Sequence, residues 1–297
     1  MKSGIVVLKK EEGITSQGAV NRIKRLFGAS KAGHTGTLDP LATGVLPILI
    51  GRGVKASEYM LSSDKYYKAT LKLGLTSDTE DVTGEILTQS DNIPDENTVL
   101  DAVKKFEGEI MQIPPMYSAL KVGGKKLCDI ARRGEEIERE PRKITVHSIR
   151  AEKISSDSYS LDVHCSKGTY IRTLCADIGA ALGCGGVMAT LERTKASVFT
   201  LDDARTISEI EAMTEEERDS LIIPVERVFE NYTKINLDPF FARLARCGVE
   251  IYLKKIKKTL PLGERVTLWD ENGFFALGEV RDFEGGSAIK PIKQFDV

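Results

Sequence analysis

Residues 33–53 constrain this 297-residue chain more than any other stretch. They read Gly-His-Thr-Gly-Thr-Leu-Asp-Pro-Leu-Ala-Thr-Gly-Val-Leu-Pro-Ile-Leu-Ile-Gly-Arg-Gly. The first half is dense in Gly, Thr and Pro, which disfavours helix and favours a turn-rich loop. From Val45 the stretch turns apolar and asks to be buried. Asp39 is the only acid between Glu12 and Glu58. One carboxylate is therefore held in a loop whose far side is anchored in a core. Such a loop serves a site, or it is an Asp-Pro turn with no further role.

Charge is distributed unevenly around that loop. Residues 1–60 carry nine basic side chains, Lys55 among them, against four acids. A solvated helix face would read this way, and so would a surface that attracts a phosphate backbone. A second basic segment, residues 121–143, holds eight basic residues against five acids and is punctuated by Gly123-Gly124 and Gly134. Its lysines Lys121, Lys125 and Lys126 suit either a mobile loop that closes on RNA or a plain surface insertion. Residues 202–230 offset both with a net charge of −7 and read as a solvated helical face. The whole chain is at −2, so any argument for nucleic acid rests on these local patches.

Along the chain, Ile5 to Leu8 reads as a buried strand. Thr15 or Ser16 caps a helix with Val20, Ile23 and Phe27 on one face, stopped by Gly28. Tyr67, Ala69, Leu71 and Leu73 alternate with Lys68, Thr70 and Lys72, a strand with one wet face. Residues 76–83 read as a polar loop, and 97–106 have helical spacing. Tyr159, Leu161, Val163 and Cys165 alternate as a strand. Gly168-Thr169 then turns into a helix with an apolar stripe at Ile171, Leu174, Ile178 and Leu182. That places Arg172 in the helix's first turn, where a cation opposes the macrodipole by roughly 0.3–1 kcal/mol. Such a placement asks for an anionic partner. After about Asn231 the composition shifts, and Asn272-Gly273 between two apolar runs signals a hairpin. Residues 232–297 thus read as a small β-rich module following a larger unit at 1–231.

The composition, 41% hydrophobic and 29% charged, builds a core and excludes wholesale disorder. The N-terminal apolar run is too short for a signal peptide and no run approaches a membrane span, so the expectation is a soluble, cytoplasmic protein. The five cysteines form no CxxC pair, and three sit on apolar segments. The three histidines, His34, His147 and His164, are scattered, so no metal site is expected from spacing, although folding could still gather them.

The stretch Gly33-His34-Thr35-Gly36-Thr37-Leu38-Asp39-Pro40-Leu41-Ala42-Thr43-Gly44-Val45-Leu46 closely resembles the signature of the TruB family of tRNA pseudouridine synthases. Three further stretches resemble that family in the same order: Asp64-Lys65-Tyr66-Tyr67, Pro114 to Lys121, and Cys165 to Arg172. The resemblance spans most of residues 4–200, and the C-terminal module resembles a PUA RNA-binding domain more diffusely. It implies a mixed α+β fold with a central antiparallel sheet flanked by helices and loops. It also implies isomerisation of a uridine in the T loop of tRNA, at position 55, with no cofactor or metal. By the same resemblance Asp39 is the essential group, adding to C6 or to C1′ or deprotonating the sugar. Arg172 pairs with Asp39, and Tyr67 stacks on the uracil and assists proton removal from C5. His34 holds the flipped nucleotide, Tyr170 and Leu191 line the pocket, and Thr37 contributes from the loop. The partner implied is the tRNA T stem-loop, bound by a monomer without an obligate protein partner. A pure RNA binder and a guide-RNA-dependent relative are the alternatives, and loss of activity in Asp39→Asn or activity on bare transcript separates them.

Overall fold

The computed structural model describes residues 2–295. The four apolar residues near the N-terminus lie in β1 (Gly4–Lys10), followed by α1 (Ser16–Leu26), β2 (Ala32–His34) and β3 (Thr43–Ile50). A 3-10 turn over Gly51–Ala56 leads into α2 (Ser57–Leu61) and then β4 (Lys65–Leu73). A short excursion follows, with β5 (Leu75–Ser77), β6 (Ile86–Gln89), α3 (Glu96–Lys104) and β7 (Gly108–Gln112). The basic segment supplies β8 (Lys121–Val122), β9 (Lys125–Lys126) and α4 (Leu127–Ala131). The chain then returns as β10 (Arg142–Lys153), β11 (Ser158–Cys165), α5 (Ile171–Ala181), β12 (Gly186–Ala196) and β13 (Phe199–Thr200).

Nine of these strands form one sheet in the order β1-β3-β12-β4-β11-β10-β7, with β2 and β13 attached to β3 and β12. All pairings are antiparallel except one: β3 meets β12 in parallel over Thr43–Gly44 and Glu192–Arg193. Gly44 makes that junction possible. It sits at φ +98°, and a Cβ there would lie 2.3 Å from the Arg193 carbonyl oxygen. The expected mixed fold around a central antiparallel sheet is therefore present, with this parallel seam directly after the Asp39 loop.

β1 and β3 are apolar on both faces because they separate two cores. Val6 and Leu8 join the main core with α1, α3 and α5, whereas Ile5 and Val7 face a second core. α1 begins as expected at Thr15, whose hydroxyl accepts from Gly18 N–H, and buries Val20 and Ile23. α5 lies hard against β12, where a Cβ on Gly179 would fall 2.0 Å from the Gly186 nitrogen. That close approach fixes where the first turn of α5, and with it Arg172, meets the sheet.

The acidic tract folds into α6 (Ile207–Ala212) and α7 (Glu215–Ser220), each opened by a Thr-to-Glu capping box. It is not wholly solvated: Ile223 bridges Ile5, and Lys2 pairs with Glu215 and Asp219. The C-terminal residues build a five-stranded sheet from β14 (Thr233–Asn236), β15 (Ile251–Tyr252), β16 (Arg265–Asp270), β17 (Gly273–Arg281) and β18 (Ala288–Gln294), with helix α8 (Pro239–Arg246). Asp270 to Gly273 closes the β16–β17 hairpin as the Asn-Gly signal requires. This PUA-like sheet docks through rings: Phe229 packs against Tyr59, Phe274 and Phe295 at centroid separations of 5.2, 5.9 and 5.5 Å. These residues complete the second core, so the β-rich module shares apolar surface with β1 and β3.

Sequence reasoning missed two long strands, β10 and β12. It also read residues 121–143 as a mobile loop or a plain surface insertion and assigned it no elements, whereas β8 and β9 form a hairpin turning at Gly123-Gly124 and α4 packs Leu127 and Ile130 on Met116. Residues 76–83 are likewise not all loop, since β5 pairs with β6.

Candidate active site

The Asp39 loop is short and supported from several directions. Ser16, in the first turn of α1, both donates to the Leu38 carbonyl at 2.9 Å and accepts from Leu38 N–H at 2.8 Å. Lys10, 1% exposed, donates to the carbonyls of Ala42 at 2.5 Å, Pro40 at 3.2 Å and Glu11 at 3.0 Å. Burial pulls the Lys10 ammonium down to about 8, with Asp39 acting in the opposite sense. On the other flank Arg193, also 1% exposed, donates from Nε to Val45 O at 2.8 Å and from Nη2 to Gly36 O at 3.2 Å. Two buried cations thus hold the backbone on either side of Asp39.

Arg172 meets the loop from α5. Its Nε lies 2.9 Å from Asp39 Oδ2. Its other nitrogens donate to Thr79 O at 2.9 Å and Tyr117 O at 2.7 Å, and Asp81 Oδ2 stands 3.8 Å away. One guanidinium therefore joins three segments distant in sequence: the Asp39 loop, the polar loop after β5, and the Pro-rich segment after β7. The planar fork of Arg suits this, and a lysine's single ammonium does not. Asp81 is itself organised, its Oδ1 accepting from Thr79 Oγ1, Thr83 N–H and Thr83 Oγ1 at 2.6–2.9 Å. The pair is asymmetric: the Arg172 side chain is 5% exposed and that of Asp39 36%. A buried cation presents a carboxylate to an open cleft.

That cleft, about 320 Å³, brings together six of the expected residues: Thr37, Asp39, Tyr67, Tyr170, Arg172 and Leu191. Gln112 clamps Tyr170 by its backbone, accepting from its N–H at 2.8 Å and donating to its carbonyl at 3.0 Å. Burial raises the Tyr67 phenol above its ordinary value, opposed by the nearby positive charge of the Arg193 guanidinium. Burial likewise raises Tyr170. Both phenols stay protonated at neutral pH and are available as donors.

His34 does not line the cleft. Its Nδ1 accepts from Gly36 N–H at 3.3 Å, which requires that nitrogen to be unprotonated. Burial and then Arg193 lower its pKa, in keeping with that tautomer. Lys55 is also outside, donating to Gln294 O at 3.2 Å. Lys121, Lys125 and Lys126 are exposed on the β8–β9 hairpin, and only the residues leading into it, Ser118 to Leu120, reach the cleft wall. The residues that sequence reasoning passed over are Lys10, Lys65, Asp81, Gln112 and Arg193. Lys65 lines the cleft with its ammonium on the carbonyls of Met60, Leu61 and Ser63, and burial pulls it down to about 8. Of these only Lys65 lay in one of the four stretches that resemble the family. The scattered histidines are the other surprise: His147 and His164 come together with Asp64, and none of the three lines the cleft.

Comparison with known proteins gives the arrangement its context. The model of the TruB family pseudouridylate synthase N-terminal domain matches residues 24–171, and that of the tRNA pseudouridylate synthase B C-terminal domain matches residues 172–230. The chain is 43% identical to tRNA pseudouridine synthase B of Alkaliphilus oremlandii over 94% of each protein. It is 40% identical to the Clostridium tetani protein of the same name, over 97% of this chain and 99% of that one. Among solved structures it superposes on a chain of the Cbf5-Nop10-Gar1 complex with a TM-score of 0.71 and 25% identity, covering 99% of this chain and 85% of that one. A chain of the archaeal box H/ACA sRNP Nop10-Cbf5 complex gives 0.70 and 26%, over 99% and 86%. Family models over residues 24–230 and near full-length identity above 40% point one way: this chain belongs to the TruB family of tRNA pseudouridine synthases, which are isomerases.

Proposed function

We propose that this enzyme converts the uridine at position 55 of the tRNA T loop to pseudouridine, with Asp39 as its essential group. The carrying observation is the Asp39–Arg172 pair, in which a buried guanidinium holds a carboxylate at the mouth of a cleft. The reaction breaks the N1–C1′ bond, rotates the uracil and forms the C5–C1′ bond; the C5 proton leaves and N1 is protonated. Asp39 acts on the nucleoside as nucleophile or base, and the charge-assisted hydrogen bond from Arg172 fixes where it points. Tyr67 offers a ring for the uracil and a phenol within reach of the proton transferred from C5. Leu191 and Tyr170 complete the walls.

A uridine inside a folded T loop cannot enter a cleft of this size with its neighbours, so the base is flipped out. Flipping costs a few kcal/mol. Stacking in the cleft and phosphate contacts from the basic hairpin, including Lys121, Lys125 and Lys126, offset that cost. His34 supports this indirectly by bracing Gly36 beneath Thr37. The catalytic unit runs to about residue 231, the PUA-like unit from 232 adds RNA contacts, and the enzyme works as a monomer with no protein partner. Among the described residues no helix is long and apolar enough to cross a membrane. The test is an unmodified tRNA transcript incubated with the purified chain alone, followed by mapping of pseudouridine. Modification confined to position 55 supports the reading. No modification until protein partners or a guide RNA are added would overturn it, in favour of an assembly-dependent enzyme.

A further inference from the structure

The wet face of the central sheet carries a second cluster. Asp64 stands at the entry to β4, His164 on β11 and His147 on β10. β10 is bulged between Val146 and Ser148, so His147 is the extra residue and is re-aimed toward its neighbour strand. One side-chain atom from each of the three lies within 4.8 Å of the others. Both imidazoles use Nε2 and converge on the same oxygen, Asp64 Oδ2, at 3.3 Å from His147 and 3.6 Å from His164. These separations match the edge of a tetrahedron around a metal bonded at 2.0–2.1 Å, which is about 3.3 Å. The orientation is fixed: the His164 ring stacks on Tyr66 at 3.9 Å with an interplanar angle of 7°.

We infer that Asp64, His147 and His164 form a binding site for a divalent first-row transition-metal ion of the zinc class, with three protein ligands and one position left to water. Two imidazoles and a carboxylate suit such an ion and do not suit magnesium or calcium, which take oxygen ligands. The competing account is that Asp64 simply accepts hydrogen bonds from both rings. An ion there would tie the entry of β4 to β10 and β11, one residue before Lys65 and three before Tyr67. The site has no part in the chemistry proposed for the cleft.

The test uses the full chain, purified without a histidine tag and stripped of metal, titrated with cobalt(II) as a spectroscopic substitute. One equivalent should bind with the visible absorption of a four-coordinate ion, and the thermal midpoint should rise. His147→Ala and His164→Ala should each weaken binding by at least about 10-fold, since even removing a group that only hydrogen-bonds to a ligand commonly costs 10–100-fold. Asp64→Asn, which still accepts hydrogen bonds, should do the same. Melting of each metal-free variant at the wild-type temperature verifies folding, and all three positions are partly exposed. Absence of stoichiometric binding would overturn the inference. So would unchanged binding in the three variants, or a thiolate charge-transfer band placing the ion on Cys128 or Cys247 instead.

Discussion

Arg172→Lys isolates the geometry of the site from its charge. The wild-type guanidinium reaches Asp39 Oδ2, Thr79 O and Tyr117 O at 2.7–2.9 Å from three different nitrogens. A lysine ammonium keeps the positive charge but sits on a shorter, unforked stem and can serve one of these partners well. Two hydrogen bonds from a charged donor are then lost, at about 1.5–3 kcal/mol each. The Asp39 partner is a third exposed, so water repays part of its share. We expect a stability loss of about 2–4 kcal/mol on that reckoning, measured by urea denaturation. The larger effect falls on the reaction. Releasing the Thr79 and Tyr117 segments lets Asp39 shift by the order of 1 Å, and a misplacement of that size costs about 100-fold in rate. Single-turnover release of tritium from C5-labelled uridine in tRNA measures it. A rate within about threefold of wild type, with the stability loss present, would show that the fork does not position Asp39 and would refute the reasoning.

Three further outcomes follow from the same structure. Lys10→Met removes the donor that holds Pro40 and Ala42. Because Lys10 titrates near 8 in the folded chain and near 10.4 unfolded, the unfolded state binds more protons between those values, and wild-type stability gains with pH there. The stability difference between wild type and Lys10→Met should therefore be larger at about pH 9.5 than at about pH 7.5, and a smaller difference would contradict the assigned protonation. Gly44→Ala forces a Cβ against the Arg193 backbone at a left-handed φ, and should cost at least about 2 kcal/mol by chemical denaturation. Lys125→Gln with Lys126→Gln should raise KM for tRNA and flatten its salt dependence while leaving kcat and the melting temperature unchanged; an unchanged KM makes the hairpin a bystander.

What was legible in the sequence follows from period and from placement. Asp39 stood out because a lone acid in a Gly- and Pro-rich loop before an apolar run has few bland uses. Arg172 stood out because a cation in a helix's first turn lacks a local partner. β4 and β11 alternate cleanly and β1 is a short unbroken apolar run, so all three were readable. β10 and β12 were not, because bulges break their period: β10 slips at His147, and β12 slips twice against β4, after Met188 and after Arg193. The slip near Arg193 hid the most informative buried cation of the site, since a charged residue in an irregular strand reads as surface. Lys10 was hidden for the same reason, at the end of an apolar strand beside Lys9. The hairpin and helix at 121–131 escaped because Leu127 and Ile130 find their partner in Met116, outside the segment. Asp64, His147 and His164 belong to three different strand regions, and only the sheet's register brings them together.

The central claim, that Asp39 is the group on which the isomerisation depends, is tested most directly by Asp39→Asn. The substitution keeps the shape and a hydrogen-bond acceptor for Arg172 but removes the charge and the nucleophile. Single-turnover tritium release from C5-labelled uridine should fall to background while the variant still binds tRNA. Release at the wild-type rate would contradict the account, whatever the fold and the family resemblance say.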